Sequence, residues 1–313
     1  MMGVRVAHLL WLQVLGSLAS SAASSSPAHK PVFIEGEHGI ACWRIPALID
    51  ATPRQSVHHS SFPRAQQLLL AFAEARISGC SDDTLKMMAM KRSTWSAPAF
   101  IVGDSVTRTS AANSIWNPEP VYRHTIPWSW PTSTTAQTAL HVRAGHCQAF
   151  QMASTDSGRS FGPAEPLAPV LGQFANGIRP GPGAGVVLDV GPKKGRILFS
   201  GSYDQLPKAP GEKVVDLVWW SDGGGAAAPR DYALSPSRIG AGVGDESSLV
   251  QLQNGSVLLS MRTVGWPDSP TACRCRAVSR SDNFGESWSP NMLVPDLVQP
   301  GASGCQGAMV RPP

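Results

Sequence analysis

Five charged side chains have the types and the setting to do chemistry together. Arg44 lies in Trp43-Arg44-Ile45-Pro46-Ala47-Leu48, and Arg76 closes Ala73-Glu74-Ala75-Arg76. Asp82 follows in Ser81-Asp82-Asp83, and Glu246 stands 16 residues before Arg262. Arginine keeps its charge and offers a planar fork of donors, so a set of them can grip a carboxylate. A carboxyl group nearby can give or take a proton. Each residue also has a plainer reading. A lone arginine on a strand is usually a surface residue, Ser-Asp-Asp is a polar turn, and Glu246 is a solvated residue after a turn.

A repeated turn would position them. Ser154-Thr155-Asp156-Ser157-Gly158-Arg159-Ser160-Phe161 has the form S-x-D-x-G-x-S-aromatic. Ser281-Asp282-Asn283-Phe284-Gly285-Glu286-Ser287-Trp288 is a variant, with Asp282, Gly285 and Trp288 read as the counterparts of Asp156, Gly158 and Phe161. Ser221-Asp222-Gly223-Gly224-Gly225 is a degenerate start, and Arg92-Ser93-Thr94-Trp95-Ser96 a collapsed copy. Trp95 and Phe161 are 66 residues apart, as are Asp156 and Asp222, while Asp222 and Asp282 are 60 apart. A period of this size with strands between its turns signals blades. The aspartate accepts backbone N–H groups, the glycine takes φ > 0 and the aromatic plugs the blade. The turn residues are therefore structural; a calcium loop would need more carboxylates. Gln67–Ala73, Gly195–Ser200, Ser247–Gln251 and Ser256–Ser260 read as strands, the last two joined across Asn254-Gly255, a hairpin signal.

Composition agrees with an all-β chain. The 313 residues carry 30 Gly, 27 Pro and 10 Trp, a mixture that favours short strands and turns over long helices. A net charge of +4 excludes nucleic acid and a polybasic membrane patch as expected partners. Charged residues at 15% are too few for solvated disorder. Residues 1–23 read as a signal peptide: Arg5 and His8 precede the apolar run Leu9–Ala19, and Ser21, Ala22 and Ala23 offer a cleavage site. That predicts the secretory pathway, with a secreted or lysosomal destination; a signal anchor, which would hold the chain on a membrane, is the alternative. Residues 24–35 read as a linker and 36–313 as the domain. Six cysteines remain, and an oxidising compartment permits disulfides whose pairing stays open. Cys273-Arg274-Cys275 would place two thiols on one strand face, but no second close pair completes a zinc site, so no metal is expected.

Taken in this order, the Arg-Ile-Pro element and the aspartate-box turns resemble the exo-α-sialidase (neuraminidase) family, especially its animal-type lysosomal and cytosolic branches. Asn117-Pro118-Glu119-Pro120-Val121, Pro180-Gly181-Pro182-Gly183, the Glu246-to-Arg262 unit and Gly304-Cys305-Gln306-Gly307 also have counterparts there. The resemblance covers roughly residues 40 to 310 and implies a six-bladed β-propeller without metal or organic cofactor.

It also implies roles. A sialoside carries a carboxylate on its anomeric carbon, and the family grips it with three arginines. Arg44 matches the first and Arg262 the second, and Arg76 matches an arginine that touches the sugar or the general acid. Asp82 matches the general acid/base, with Asp83 its neighbouring rival. Asn117, Tyr203 and Gln306 match substrate-binding positions, Tyr203 packing on the sugar's glycerol tail, with a half-buried strand tyrosine as its alternative reading. The family's nucleophile is a tyrosine, because an attacking carboxylate would meet the substrate carboxylate; Glu246 matches the group that takes its proton. The expected partners are sialylated glycans, cleaved with retention.

Two family residues have no match. The third arginine and the tyrosine follow the Cys-Gln-Gly element, where only Ala308 to Pro313 remain, and Tyr122, Tyr203 and Tyr232 all precede Glu246. At about 60 residues per blade the chain makes roughly five blades, so the propeller is expected to be incomplete and open. The alternative function is a catalytically inactive, sialic-acid-binding propeller.

Overall fold

The seventeen strands of the described residues form four consecutive antiparallel sheets that follow the chain, each built by the next run of residues. A computed structural model of the chain describes residues 31–52, 67–82, 84–93, 96–102, 115–123, 133–142, 146–167, 178–203, 215–222, 231–235, 245–263, 273–300 and 304–312. The expected signal peptide, most of the linker, Asp83, Thr94 and Trp95 lie outside them.

The first sheet is β1 (Cys42–Asp50), β2 (Leu69–Arg76), β3 (Lys86–Arg92) and β4 (Ala99–Val102), paired in that order. The second is β5 (Ile115–Arg123), β6 (Ser133–Val142), β7 (His146–Ser154) and β8 (Glu165–Pro166). In the third, β9 (Ile178–Pro180) and β10 (Val186–Val187) both pair with β11 (Ile197–Tyr203), followed by β12 (Val215–Ser221) and β13 (Ala233–Leu234). The fourth is β14 (Ser247–Gln251), β15 (Val257–Met261), β16 (Cys275–Ser281) and β17 (Met292–Val298). The blades predicted from the turn period are thus four among the described residues, and the propeller is open.

Strand alternation stacks the sheets. In β11 and β12, Ile197, Phe199, Leu217 and Trp219 join Val121, Ala149 and Leu167 in a core between the second and third sheets. Their neighbours Leu198 and Val218 face the other way and join Leu249, Leu259 and Met261 between the third and fourth. Leu70, Phe72, Met88 and Met90 likewise meet Tyr122 and Met152 between the first and second. The first sheet's other face carries Ala75, Met87, Ala89 and the half-buried Trp43, with Ile40 packed on them. There Trp43 Nε1 donates to Ile34 O at 2.9 Å, and Lys91 Nζ meets the Glu37 carboxylate. Residues 33–37 are therefore held against the first sheet, although the sequence reads 33–35 as linker.

The turns are built as expected, with one correction. Asp156 Oδ1 accepts from the N–H groups of Arg159 (2.8 Å) and Ser160 (2.9 Å) and from Ser154 Oγ (2.7 Å), while Gly158 N donates to Ser154 Oγ. In the second turn this role belongs to Asn283, not Asp282. Asn283 Oδ1 accepts from Ser287 N (2.8 Å) and Ser281 Oγ (3.0 Å), and Gly285 N donates to Ser281 Oγ. The turn counts two residues on from its serine, which reaches Asn283; Asp282 is exposed and pairs with Arg280 at 2.7 Å. Gly158 (φ 75°) and Gly285 (φ 94°) are required twice over. Both have φ > 0, and a Cβ there would lie 2.8 Å from Leu70 Cδ1 and 2.2 Å from Leu198 Cδ2 of the preceding sheet. In the degenerate third turn, Asp222 instead receives Arg196 at 2.5 Å, and Arg196 also reaches Phe284 O and Glu286 of the next turn.

Alanine at Asn283 should lower stability by about 1–2 kcal/mol through lost turn hydrogen bonds, whereas alanine at Asp282 should change it by less than about 0.5 kcal/mol. Urea unfolding of the two variants separates these assignments.

Candidate functional site

The first strands of successive sheets share an irregularity at their leading ends. Register shifts between Arg44 and Ala47 in β1, where Ile45 has φ 52°, and again between Trp116 and Glu119 in β5, where Asn117 has φ 52°. Each is followed by proline, which resists continuing a regular strand. A β-branched residue at positive φ is strained, and such strain persists where surrounding structure enforces it. A bulge re-aims the flanking side chains, here Arg44 and Asn117.

Arg44, Arg76 and Asp82 come together. Asp82 Oδ1 lies 3.2 Å from Arg44 Nη1 and 2.8 Å from Arg76 Nη2. The same two arginines donate to the carbonyl of Cys80, at 3.2 and 2.6 Å, and Lys86 Nζ donates to the carbonyl of Asp82. Arg76 and Glu74 are fully buried and pair at 2.8 Å, while the Arg44 and Asp82 side chains stay 42% and 59% exposed. One side of the cluster is thus sealed in protein and the other faces solvent. A disulfide, Cys42–Cys80, joins β1 to the loop that carries Asp82. Partial burial raises the proton affinity of Asp82, but Arg76, Arg44 and Lys86 outweigh it and hold the carboxyl below the usual aspartate range. Burial pushes Glu74 up in spite of Arg76 and the Asn117 N–H.

A second cluster stands where the fourth sheet begins. Arg262 Nη1 contacts Glu246 Oε2 at 2.8 Å and Asp245 Oδ2 at 3.2 Å, and Arg179 approaches Asp245 at 3.8 Å. Burial, with the neighbouring Asp245 charge adding to it, holds Glu246 above the usual range despite Arg262. Asp216, fully buried on β12, is raised further, again by burial and by Asp245.

Hydrogen bonds run between the clusters. Glu74 Oε1 accepts from Asn117 N at 3.0 Å, and Asn117 Nδ2 donates to Pro180 O at 3.0 Å, next in sequence to Arg179. Gln306 Nε2 donates to Pro182 O and Ser247 O, tying the Pro180–Gly183 loop to β14.

The expected residues therefore fall into sets. Arg44, Arg76 and Asp82 form one; Glu246 and Arg262 form another; Asn117 and Gln306 bond to the loop at Pro180–Pro182. Tyr203, at the end of β11, packs half-buried against the core between the second and third sheets. Sequence reading missed Glu74, Lys86, Asp245, Arg179 and the Cys42–Cys80 bond as parts of these sets. Glu74 and Asp245 each stood within or beside a quoted motif, and only their contacts distinguish them.

No family model matches the chain. Solved structures do. A Hadza microbial sialidase aligns at TM-score 0.61 and 15% identity, over 83% of this chain and 48% of its own. A leech intramolecular trans-sialidase, complexed with 2,7-anhydro-Neu5Ac, aligns at TM-score 0.60 and 13% identity, over 86% and 54%. The fold is that of the sialidase β-propellers. A Trypanosoma rangeli sialidase, with 2,3-difluorosialic acid as a covalent intermediate, also aligns at 0.60 and 15%, over 87% and 42%. The chain spans about half the length of the first two and less of the third.

Replacing Glu74 by alanine strands a buried guanidinium and should cost about 3–5 kcal/mol of stability. Glutamine there, which keeps an acceptor for Asn117 N–H, should cost less, and thermal unfolding compares the two.

Proposed function

We propose that the chain acts on terminal sialic acids of glycoproteins, glycolipids or oligosaccharides, as a retaining exo-α-sialidase of the animal type. The observation that carries this reading is the convergence of Arg44 and Arg76 on the half-exposed Asp82. Arg44 and Arg262 bind the sugar carboxylate, and Arg76, anchored by Glu74, fixes Asp82. Asp82 protonates the departing glycosidic oxygen. The sequence resemblance assigns to Glu246 the phenol proton of a tyrosine nucleophile, which none of Tyr122, Tyr203 and Tyr232 matches. We propose also that residues 1–23 direct the chain into the secretory pathway, toward secretion or the lysosome.

A second reading has its own observation. Tyr122 and Tyr232 are buried core residues, and Tyr203 packs half-buried against the core that holds Tyr232. On that reading the arginines hold a sialylated glycan without cleaving it. Incubating the chain with a fluorogenic aryl α-sialoside and with immobilised sialyl glycans separates the readings. Release of free sialic acid supports hydrolysis, binding without release supports the lectin, and a chain that neither releases nor binds the sugar overturns both readings.

For hydrolysis, Asp82→Asn should lower kcat by about 10²–10⁴-fold. Two carboxyls set the pH dependence. Asp82 must be protonated although its affinity for the proton is lowered, and Glu246 must be ionised although its pKa is raised. Between the two pKa values the gain in ionised Glu246 offsets the loss of protonated Asp82, so kcat/KM should be level there, in acid, falling below the Asp82 pKa and above that of Glu246. Lys86→Met removes one cation that depresses Asp82 and should move the Asp82 flank to higher pH, read from a full pH–rate profile.

A further inference from the structure

We propose that the Cys42–Cys80 disulfide is the latch that keeps the Asp82 loop against Arg44 and Arg76, which makes the site sensitive to dithiols. As regulation of the site, this rests on the reading above; the latch itself stands on geometry alone.

The two cysteines are placed symmetrically. Cys42 lies two residues before Arg44 and Cys80 two residues before Asp82. Their Cα atoms are 5.2 Å apart, within the ordinary span of a disulfide. The bond thus joins strand and loop two residues before each partner of the Arg44–Asp82 contact. Other ties on the loop are weaker or exchangeable. Arg44 and Asp82 are exposed enough that water and salt screen their pairing. An acidic ligand competes for the same Arg44 donors. Arg76 grips the Cys80 carbonyl and Asp82, and Lys86 grips the Asp82 carbonyl, but both reach the loop from β2 and β3 and neither ties it to β1. When a ligand takes Arg44, the covalent bond still joins β1 to the loop.

Access is one-sided. Cys42 is buried and Cys80 is exposed. A thiolate of a small dithiol attacks Cys80 Sγ, the S–S bond breaks, and Cys42 leaves as a thiolate that takes up a proton. The dithiol's second thiolate then attacks the mixed disulfide, releasing Cys80 as a thiol and leaving the reagent as its cyclic disulfide. Two electrons and two protons pass from dithiol to protein.

The test compares the native chain before and after dithiothreitol, with alkylation and peptide mass mapping to confirm two new thiols at positions 42 and 80. Carbon NMR then follows the Asp82 carboxyl through a pH titration, and calorimetry measures binding of N-acetylneuraminic acid. Reduction should move the Asp82 midpoint up toward an ordinary aspartate and weaken binding about tenfold. A Cys42→Ser/Cys80→Ser chain should match the reduced protein and ignore dithiothreitol, while Cys273→Ser/Cys275→Ser should keep the full response. If the bond opens and the Asp82 midpoint stays put, the latch is wrong. If the midpoint moves but neither form binds the sugar acid, the latch stands and the sialidase reading fails.

Discussion

The arrangement of the site depends on one buried carboxylate. Glu74 uses one oxygen to pair with Arg76 and the other to accept the backbone N–H of Asn117. It therefore fixes a guanidinium within the first sheet and clasps the second sheet to the first. Two fully buried opposite charges are stable only when both are well bonded, because the desolvation of each is severe. Arg76 meets that condition through Glu74, the Cys80 carbonyl and Asp82. Its position is consequently not adjustable, and the exposed partners Arg44 and Asp82 arrange themselves around it.

The same economy appears between sheets. Each well-formed turn presses its glycine on a leucine of the preceding sheet, Gly158 on Leu70 and Gly285 on Leu198. The turn is thus a packing element as well as a chain reversal, which is why the motif recurs at blade intervals. Where the motif decays, at Asp222, the contact is replaced by Arg196 bridging to Glu286 and Phe284 O. That arginine is almost fully buried and lies 5.1 Å from the Trp220 ring, so apolar contact and ion pairing both hold it.

Much of this was legible in the residues. The turn period foretold consecutive sheets because glycine at positive φ and an aspartate-type acceptor are local requirements that leave local marks. The Arg-Ile-Pro element marks the irregular start of β1 at Arg44, because a bulge before proline is also local. Asp282 was misread as a turn acceptor because chemistry by letter favoured aspartate, whereas the backbone count selected Asn283. Glu74 escaped notice for a different reason. Its position inside Ala-Glu-Ala-Arg looks like alternation on a strand, and only the approach of Asn117 from another sheet turns it into a clasp. Disulfide pairing was equally invisible, since Cys42 and Cys80 are brought together by the pairing of β1 with β2 and the loop that follows.

Arg44 and Asp82 neutralise each other in the free protein, and this bears on how the proposed chemistry would begin. An arginine already paired with a carboxylate is not a strong anion trap, and a carboxyl held ionised is a poor acid. Under the proposed function the substrate removes both handicaps at once. Its carboxylate exchanges for Asp82 on Arg44, and its negative charge then stands beside Asp82. Loss of a cationic partner and gain of a like-charged neighbour both raise the proton affinity of Asp82, so the acid is loaded when the sugar is in place. Arg76 stays paired with Asp82 during that exchange, on a loop that the Cys42–Cys80 bond ties to β1. The site thus needs one arginine that can change partners and one that cannot, and their exposures, 42% for the Arg44 side chain and 0% for Arg76, divide them in that way.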